Sequence, residues 1–189
     1  MRERVKEIIL ESIQVKEELL KSKISQILEI SEVIIEALKK GGKLIVFGNG
    51  GSASDAQHIA AELIGRFKKD RPALAALALT TNTSVITALA NDFGYETVFS
   101  RQLEALAGKL DVAFGISTSG RAKNVALALK QARKMGLKTI ALTGGDGGEL
   151  VRLADIALVV PSSVTARIQE AHITIGHILC ELIEEASLA

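Results

Sequence analysis

The chain has no tryptophan, one tyrosine, two prolines and one cysteine in 189 residues, and aromatic residues make up 3% of it. Each scarcity excludes something. Cys180 has no partner, so there is no disulfide framework, and a reducing, cytoplasmic setting is expected. Inside its apolar run the thiol reads as a small core hydrophobe. So few aromatics argue against stacking on nucleic-acid bases. Lysine and arginine number 23 against 22 aspartates and glutamates, mixed along the chain, for a net charge of +1. That balance gives no electrostatic case for DNA, RNA or an anionic membrane as partner. No apolar run reaches the ~18 residues of a membrane span, and the opening MRERVKEIIL is charged and amphipathic, unlike a signal peptide. A chain of this length, 48% apolar, is expected to form a single soluble domain with a substantial core.

What is present is a change of period near residue 41. Residues 2–40 carry apolar positions at helical spacing (Val5, Ile8, Ile9, Ile13, then Ile24, Ile27, Leu28, Ile34, Leu38) with no glycine or proline, which predicts one long helix or two in tandem. After Gly41-Gly42 the pattern becomes short apolar runs, each followed by small residues and a helix-like stretch. Five runs read as strands: KLIVFG, ALAALALT, DVAFGIST, KTIALTG and DIALVV. Strands apolar throughout suit a parallel sheet covered on both faces, so residues 41–189 are expected to form a three-layer α/β core. A final helix is expected over about 163–186.

Ligands of open parallel sheets bind at the carboxyl ends of the strands, where the strand order reverses. With an order of 2-1-3-4-5, strands one and three meet there. The first ends in GNGGS and the third in STSG, the two most phosphate-like loops in the chain. Small residues opening a helix present free N–H groups and a positive dipole end, and hydroxyls add donors without bulk. Ser117, Thr118 and Ser119 supply such hydroxyls; an N-cap and turn has the same composition. GNGGSA also fits the loose dinucleotide pattern through Gly48, Gly50 and Ala53, but the second strand ends LALTTNT, without the carboxylate that a ribose requires. No Walker-type G-x-x-x-x-G-K-[ST] is present. The loops suit one phosphate on a small molecule.

His58 and Glu62 follow on the helix that the first loop opens, four apart and on one face. Such a pair can ligate zinc, and the glutamate can instead move a proton; a solvated polar face has the same spacing. Asp55 lies one turn earlier, placed to orient the imidazole or simply to favour the helix start. Asn91-Asp92 before Phe93-Gly94 reads as turn chemistry between two helices, made a candidate substrate contact by its place after a strand end. In the last helix Gln169, His172 and His177 stand among apolar residues, where a histidine is more often a core residue than a catalyst. Gln169 and His177 are eight apart, ~12 Å along a regular helix. Spacing alone does not bring both to one ion.

Assembled, these segments resemble the phosphoheptose isomerases, enzymes of the sugar-isomerase (SIS) domain class. The likeness runs nearly end to end: GNGGS..DAQH...E, LTTNTSVITALANDFGYETVFSRQ, GISTSG, LTGGDGGEL and RIQE.H....H. It implies a flavodoxin-like sheet of order 2-1-3-4-5 behind an oligomerising helical extension over 1–40, a homotetramer with sites at subunit interfaces, and one zinc per subunit. It also implies conversion of sedoheptulose 7-phosphate to D-glycero-D-manno-heptose 7-phosphate through an enediol, the first step towards nucleotide-activated heptose. By the same resemblance Asn49, Gly50, Gly51, Ser52, Asn91 and Asp92 contact substrate, and Ser117, Thr118 and Ser119 hold its phosphate. His58, Glu62, Gln169 and His177 form the metal set, with Gln169 also at the substrate. Glu62 and His177 are the proton-transfer pair, and Asp55 is an acidic active-site position. Two residues depart from the pattern: Ala122 stands where many members have a phosphate-contacting serine, with Arg121 beside it, and Ala166 stands where one subgroup has aspartate. Two non-catalytic readings share the loops, a DnaA initiator-associating protein and a sugar-phosphate sensor. The first lacks the glutamate and histidine that match Glu62 and His177, and the second needs neither.

Overall fold

The computed structural model describes residues 1–188. Five parallel strands run β1 (Leu44–Gly48), β2 (Ala76–Ala78), β3 (Val112–Ser117), β4 (Lys138–Gly144) and β5 (Ile156–Val160), in the order 2-1-3-4-5. The N-terminal segment is two helices, α1 (Arg2–Ser22) and α2 (Ile24–Lys39), separated at Lys23. The crossovers are α3 (Gly51–Ile64), α4 (Thr83–Phe93), a 3-10 turn (Tyr95–Thr97), α5 (Ser100–Leu106), α6 (Lys123–Lys134) and α7 (Leu150–Leu153); α8 (Thr165–Leu188) closes the fold.

Strand alternation divides the core in two. Leu44, Val46, Phe114, Ile116, Ile140 and Leu142 face α2, α3 and α8, whereas Ile45, Phe47, Ala113 and Ala141 face α5, α6 and α7. Both faces are covered, which is why the strands read as continuous apolar runs rather than alternating ones. The edge strand is shorter than ALAALALT suggested, because only Ala76–Ala78 pair with β1. Asp111 and Asp155, read as strand starts, lie just outside their strands. Asp111 accepts from the Lys43 N–H and Asp155 from the Thr139 N–H, so each carboxylate ties its strand to a neighbour.

Much of α1 has no apolar cover: only Val15 and Leu19 are buried, and Val5, Ile9, Leu10 and Ile13 are exposed. Cys180 is buried, and burial pushes its thiol up to about 12, leaving it unreactive. His172 is fully buried; its Nε2–H donates to the Thr143 carbonyl at 3.1 Å, and burial lowers it to about 4, so it is a neutral core group.

Candidate active site

The register pairs Gly48 with Ile116, so the loops leaving β1 and β3 are neighbours at the switch point. Their contact is specific. Asn49 Nδ2 donates to Asn124 Oδ1 at 2.9 Å, Asn124 Nδ2 donates back to Asn49 Oδ1 at 2.8 Å, and Tyr95 Oη donates to the same Asn49 oxygen at 3.1 Å. Asn124 and Tyr95 were not singled out from sequence. Asn124 follows STSG by four residues, but only the fold shows that its amide faces Asn49.

GNGGS leads directly into α3, with Gly50 as N-cap and Ser52 buried in the first turn. STSG does not open its helix in the same way. Helix α6 starts only at Lys123, so Thr118, Ser119, Gly120, Arg121 and Ala122 form a separate loop with Gly120 at φ +63°. Ser117 is buried at the end of β3. Thr118 and Ser119 line a cavity of about 290 Å³ with Gly144, Gly145 and Thr165 at the start of α8. Arg121 and Asp146 also line this cavity: the Arg121 guanidinium pairs with Asp146 at 2.5 Å in an exposed ion pair and donates to the Ser119 carbonyl, while the Arg121 backbone N–H donates to Ser119 Oγ at 3.2 Å.

Helices α3 and α8 both begin at this edge and pack against each other. Gly176 permits the approach, since a Cβ there would sit 3.0 Å from Ile59 on α3. Near that contact His58, Glu62 and His177 converge, each offering a ligand atom within 4.8 Å of the others. His58 Nε2 is 3.1 Å from Glu62 Oε1 and 3.5 Å from His177 Nε2, and the two imidazoles meet edge to face. Tetrahedral bonds of ~2.0–2.1 Å place neighbouring ligand atoms roughly 3.3–3.5 Å apart, so the set fits a zinc-sized ion. Two imidazole nitrogens facing each other also need a proton or cation between them. Gln169 lies two turns earlier on α8, with its carboxamide over Gly51 so closely that a Cβ there would collide with it.

Asp55, on the α3 turn before His58, has a buried Oδ2 with no hydrogen-bond partner. Burial raises its carboxyl to about 6, partly opposed by His58. The native state therefore binds the proton more tightly than the unfolded chain. The resulting stabilisation is complete below pH ~3.8 and disappears as pH rises through about 6. Asp55→Asn should gain stability relative to the wild type as pH rises through this range. Urea unfolding at pH 5 and 7.5 checks this, and a pH-independent difference would contradict it. Asn91 and Asp92 occupy the exposed last turn of α4, where Asn91 Nδ2 donates to Asp92 Oδ1; neither is hydrogen-bonded to the other candidates.

This architecture, with small-residue loops at the switch point and a His-Glu-His cluster between two helices, has clear relatives. The SIS domain family matches residues 9–144. The phosphoheptose isomerase of Aquifex aeolicus is 55% identical over 185 residues, covering 98% of this chain and 97% of the relative. That of Nitratiruptor sp. is 60% identical, covering 82% and 83%. The solved structure of the phosphoheptose isomerase from Neisseria gonorrhoeae superposes with a TM-score of 0.93 at 44% identity, covering 97% and 98%. The chain belongs to the SIS domain family and, within it, to the phosphoheptose isomerases.

Proposed function

We propose that this aldose-ketose isomerase interconverts sedoheptulose 7-phosphate and D-glycero-D-manno-heptose 7-phosphate. The observation that carries the reading is the convergence of Glu62 and His177, from helices 119 residues apart at the His58–His177 contact, beside the phosphate-type loops. The Ser117–Ser119 loop and the start of α8 bind the phosphate, supplying remote binding energy that holds the open-chain sugar in register. Asn49, fixed by Asn124 and Tyr95, together with Gly50, Gly51, Ser52 and Gln169, orients the polyol; Asn91 and Asp92 contact it from α4. Glu62 takes the proton from C1 of the ketose, the C1–H pair moves into the C1–C2 bond, and the carbonyl oxygen at C2 receives a proton from His177. The enediol then collapses: Glu62 returns its proton to C2, and the O1 hydroxyl gives up its proton to His177 as the C1 aldehyde forms. Atoms and electrons balance without an external oxidant.

His58, Glu62 and His177, with Gln169 nearby, would hold one zinc per subunit. Bound there, it supplies Lewis-acid polarisation of the carbonyl. Metal analysis of purified protein should give about one zinc per chain, and His58→Ala should weaken zinc at least ~10-fold in competition with a chromophoric chelator. Retention of wild-type affinity would exclude His58 as a ligand. The exposed apolar face of α1 supports assembly through the N-terminal helices into a homotetramer. Sedimentation equilibrium tests this. Among the described residues no helix is long and apolar enough to cross a membrane, and we place the enzyme in the cytoplasm, as a buried unpaired thiol suits.

The deciding experiment is turnover of sedoheptulose 7-phosphate by purified protein. Folded protein with no turnover, with or without zinc, would return the weight to initiator binding or sugar-phosphate sensing.

A further inference from the structure

We propose that Arg71 and Glu184 are positioning residues, a buried clamp that holds the Glu62 and His177 side chains in reacting geometry; this rests on those two being the proton-transfer pair. Arg71 Nε lies 3.2 Å from Glu184 Oε1, with the side chains 0% and 2% exposed. Among the described residues it is the one ion pair with both partners fully buried. Such a pair is a poor way to gain stability, because removing two charges from water offsets their attraction, and apolar residues of similar volume often serve as well. What apolar residues cannot supply is direction.

Both ends of the pair are aimed at the reaction centre. The Arg71 guanidinium donates from Nη2 to the Glu62 carbonyl at 3.0 Å and from Nη1 to the Leu63 carbonyl at 2.8 Å. It thus satisfies the end of α3 at the turn that carries the base. Glu184 accepts from the backbone N–H groups of Phe67, Lys68 and Lys69 at 2.9, 2.8 and 3.0 Å. Burial alone would raise this carboxyl, but those three donors and Arg71 hold it below the usual range, so it remains ionised. The strap fastened in this way carries the Phe67 ring against the His177 imidazole, with centroids 5.5 Å apart. Glu184 itself stands seven residues, about two turns, beyond His177 on α8. The connection is therefore closed: Glu62 backbone, Arg71, Glu184, Phe67, His177. One arm ends at the base and the other at the acid.

Four variants test the clamp: Arg71→Lys, Glu184→Gln, Phe67→Ala and the double change Arg71→Met/Glu184→Leu. Turnover, zinc affinity by chelator competition and melting temperature are measured for each. In Arg71→Lys and Glu184→Gln, kcat should fall at least ~10-fold with KM within about threefold, and zinc affinity should fall ~10-fold. The apolar double variant should recover thermal stability relative to either single change without recovering kcat. A purely structural pair predicts that the two recover together. Should the buried variants fail to fold, half-buried Phe67→Ala carries the test: it loses some packing against the core but should stay folded at the assay temperature, with kcat down ~10-fold and zinc affinity reduced. Wild-type kcat and zinc affinity in any folded variant would overturn the proposal. If the wild type itself does not turn over sedoheptulose 7-phosphate, the isomerase reading fails, and zinc affinity alone then decides whether the clamp positions the cluster.

Discussion

Glu62→Gln should reduce kcat by about 10³-fold while changing KM for sedoheptulose 7-phosphate by no more than about threefold. The substitution keeps the shape of the side chain and its place on α3, beside His58 and opposite His177. It replaces the basic carboxylate, proposed to accept the carbon-bound proton, with a non-basic amide. None of the groups proposed to hold the phosphate is touched, since Thr118, Ser119 and Thr165 line their own cavity at the strand ends. Loss confined to kcat is the signature of an interaction made only in the transition state. Isotope exchange sharpens the test: in deuterated water the wild type should incorporate deuterium from solvent at the transferred position, and the variant should not. Undiminished turnover would remove Glu62 from the reaction and leave it at most a ligand.

A second large effect is expected at Gly120. It sits at φ +63°, and a Cβ there would run into the Gly147 carbonyl and lie 2.9 Å from the Gly148 nitrogen. Gly120→Ala must therefore push apart the loop after β3 and the loop after β4, two walls of the cavity proposed to take the phosphate. Expected are a destabilisation of about 3 kcal/mol and at least a tenfold rise in KM, with kcat at saturation less affected. Gly136, between α6 and β4 and away from the cavity, provides the control, because it has φ +83° but nothing within 4 Å of the added carbon. Gly136→Ala carries only the backbone strain, about 1–2 kcal/mol, and should leave KM nearly unchanged. Equal effects at the two positions would mean that backbone strain, not the contact between loops, governs the site.

The sheet could be read from sequence because each strand is apolar on both faces and punctuated by glycine, serine or threonine. The order 2-1-3-4-5 came with the resemblance rather than from any local signal; once it is adopted, GNGGS and STSG fall at one switch point, as they do in the structure. His58 and Glu62 were visible as neighbours because helix periodicity alone puts them on one face. His177 was not, for its meeting with His58 depends on how α8 crosses α3 at Gly176 and Ile59, a packing event with no local signature. The resemblance grouped Gln169 with the metal ligands; in the structure its carboxamide rests on Gly51 in the GNGGS loop. The Asn49–Asn124 amide pair and the Arg71–Glu184 clamp span 75 and 113 residues, beyond any motif. Arg121, whose charge stands beside the missing serine at 122, is committed to Asp146 instead.

Because α3 and α8 start together at the loop edge and run side by side, the site is a ruler. From Gln169, over the GNGGS loop, to His177 is about 12 Å of helix, and from Gly51 to His58 about 10 Å. With the phosphate held at the loops as proposed, an extended seven-carbon sugar has about that reach, and pentose and hexose phosphates are expected to bring their carbonyl up short of Glu62 and to turn over more slowly. Selection by size then needs no contact that distinguishes one hydroxyl from another along the middle of the chain.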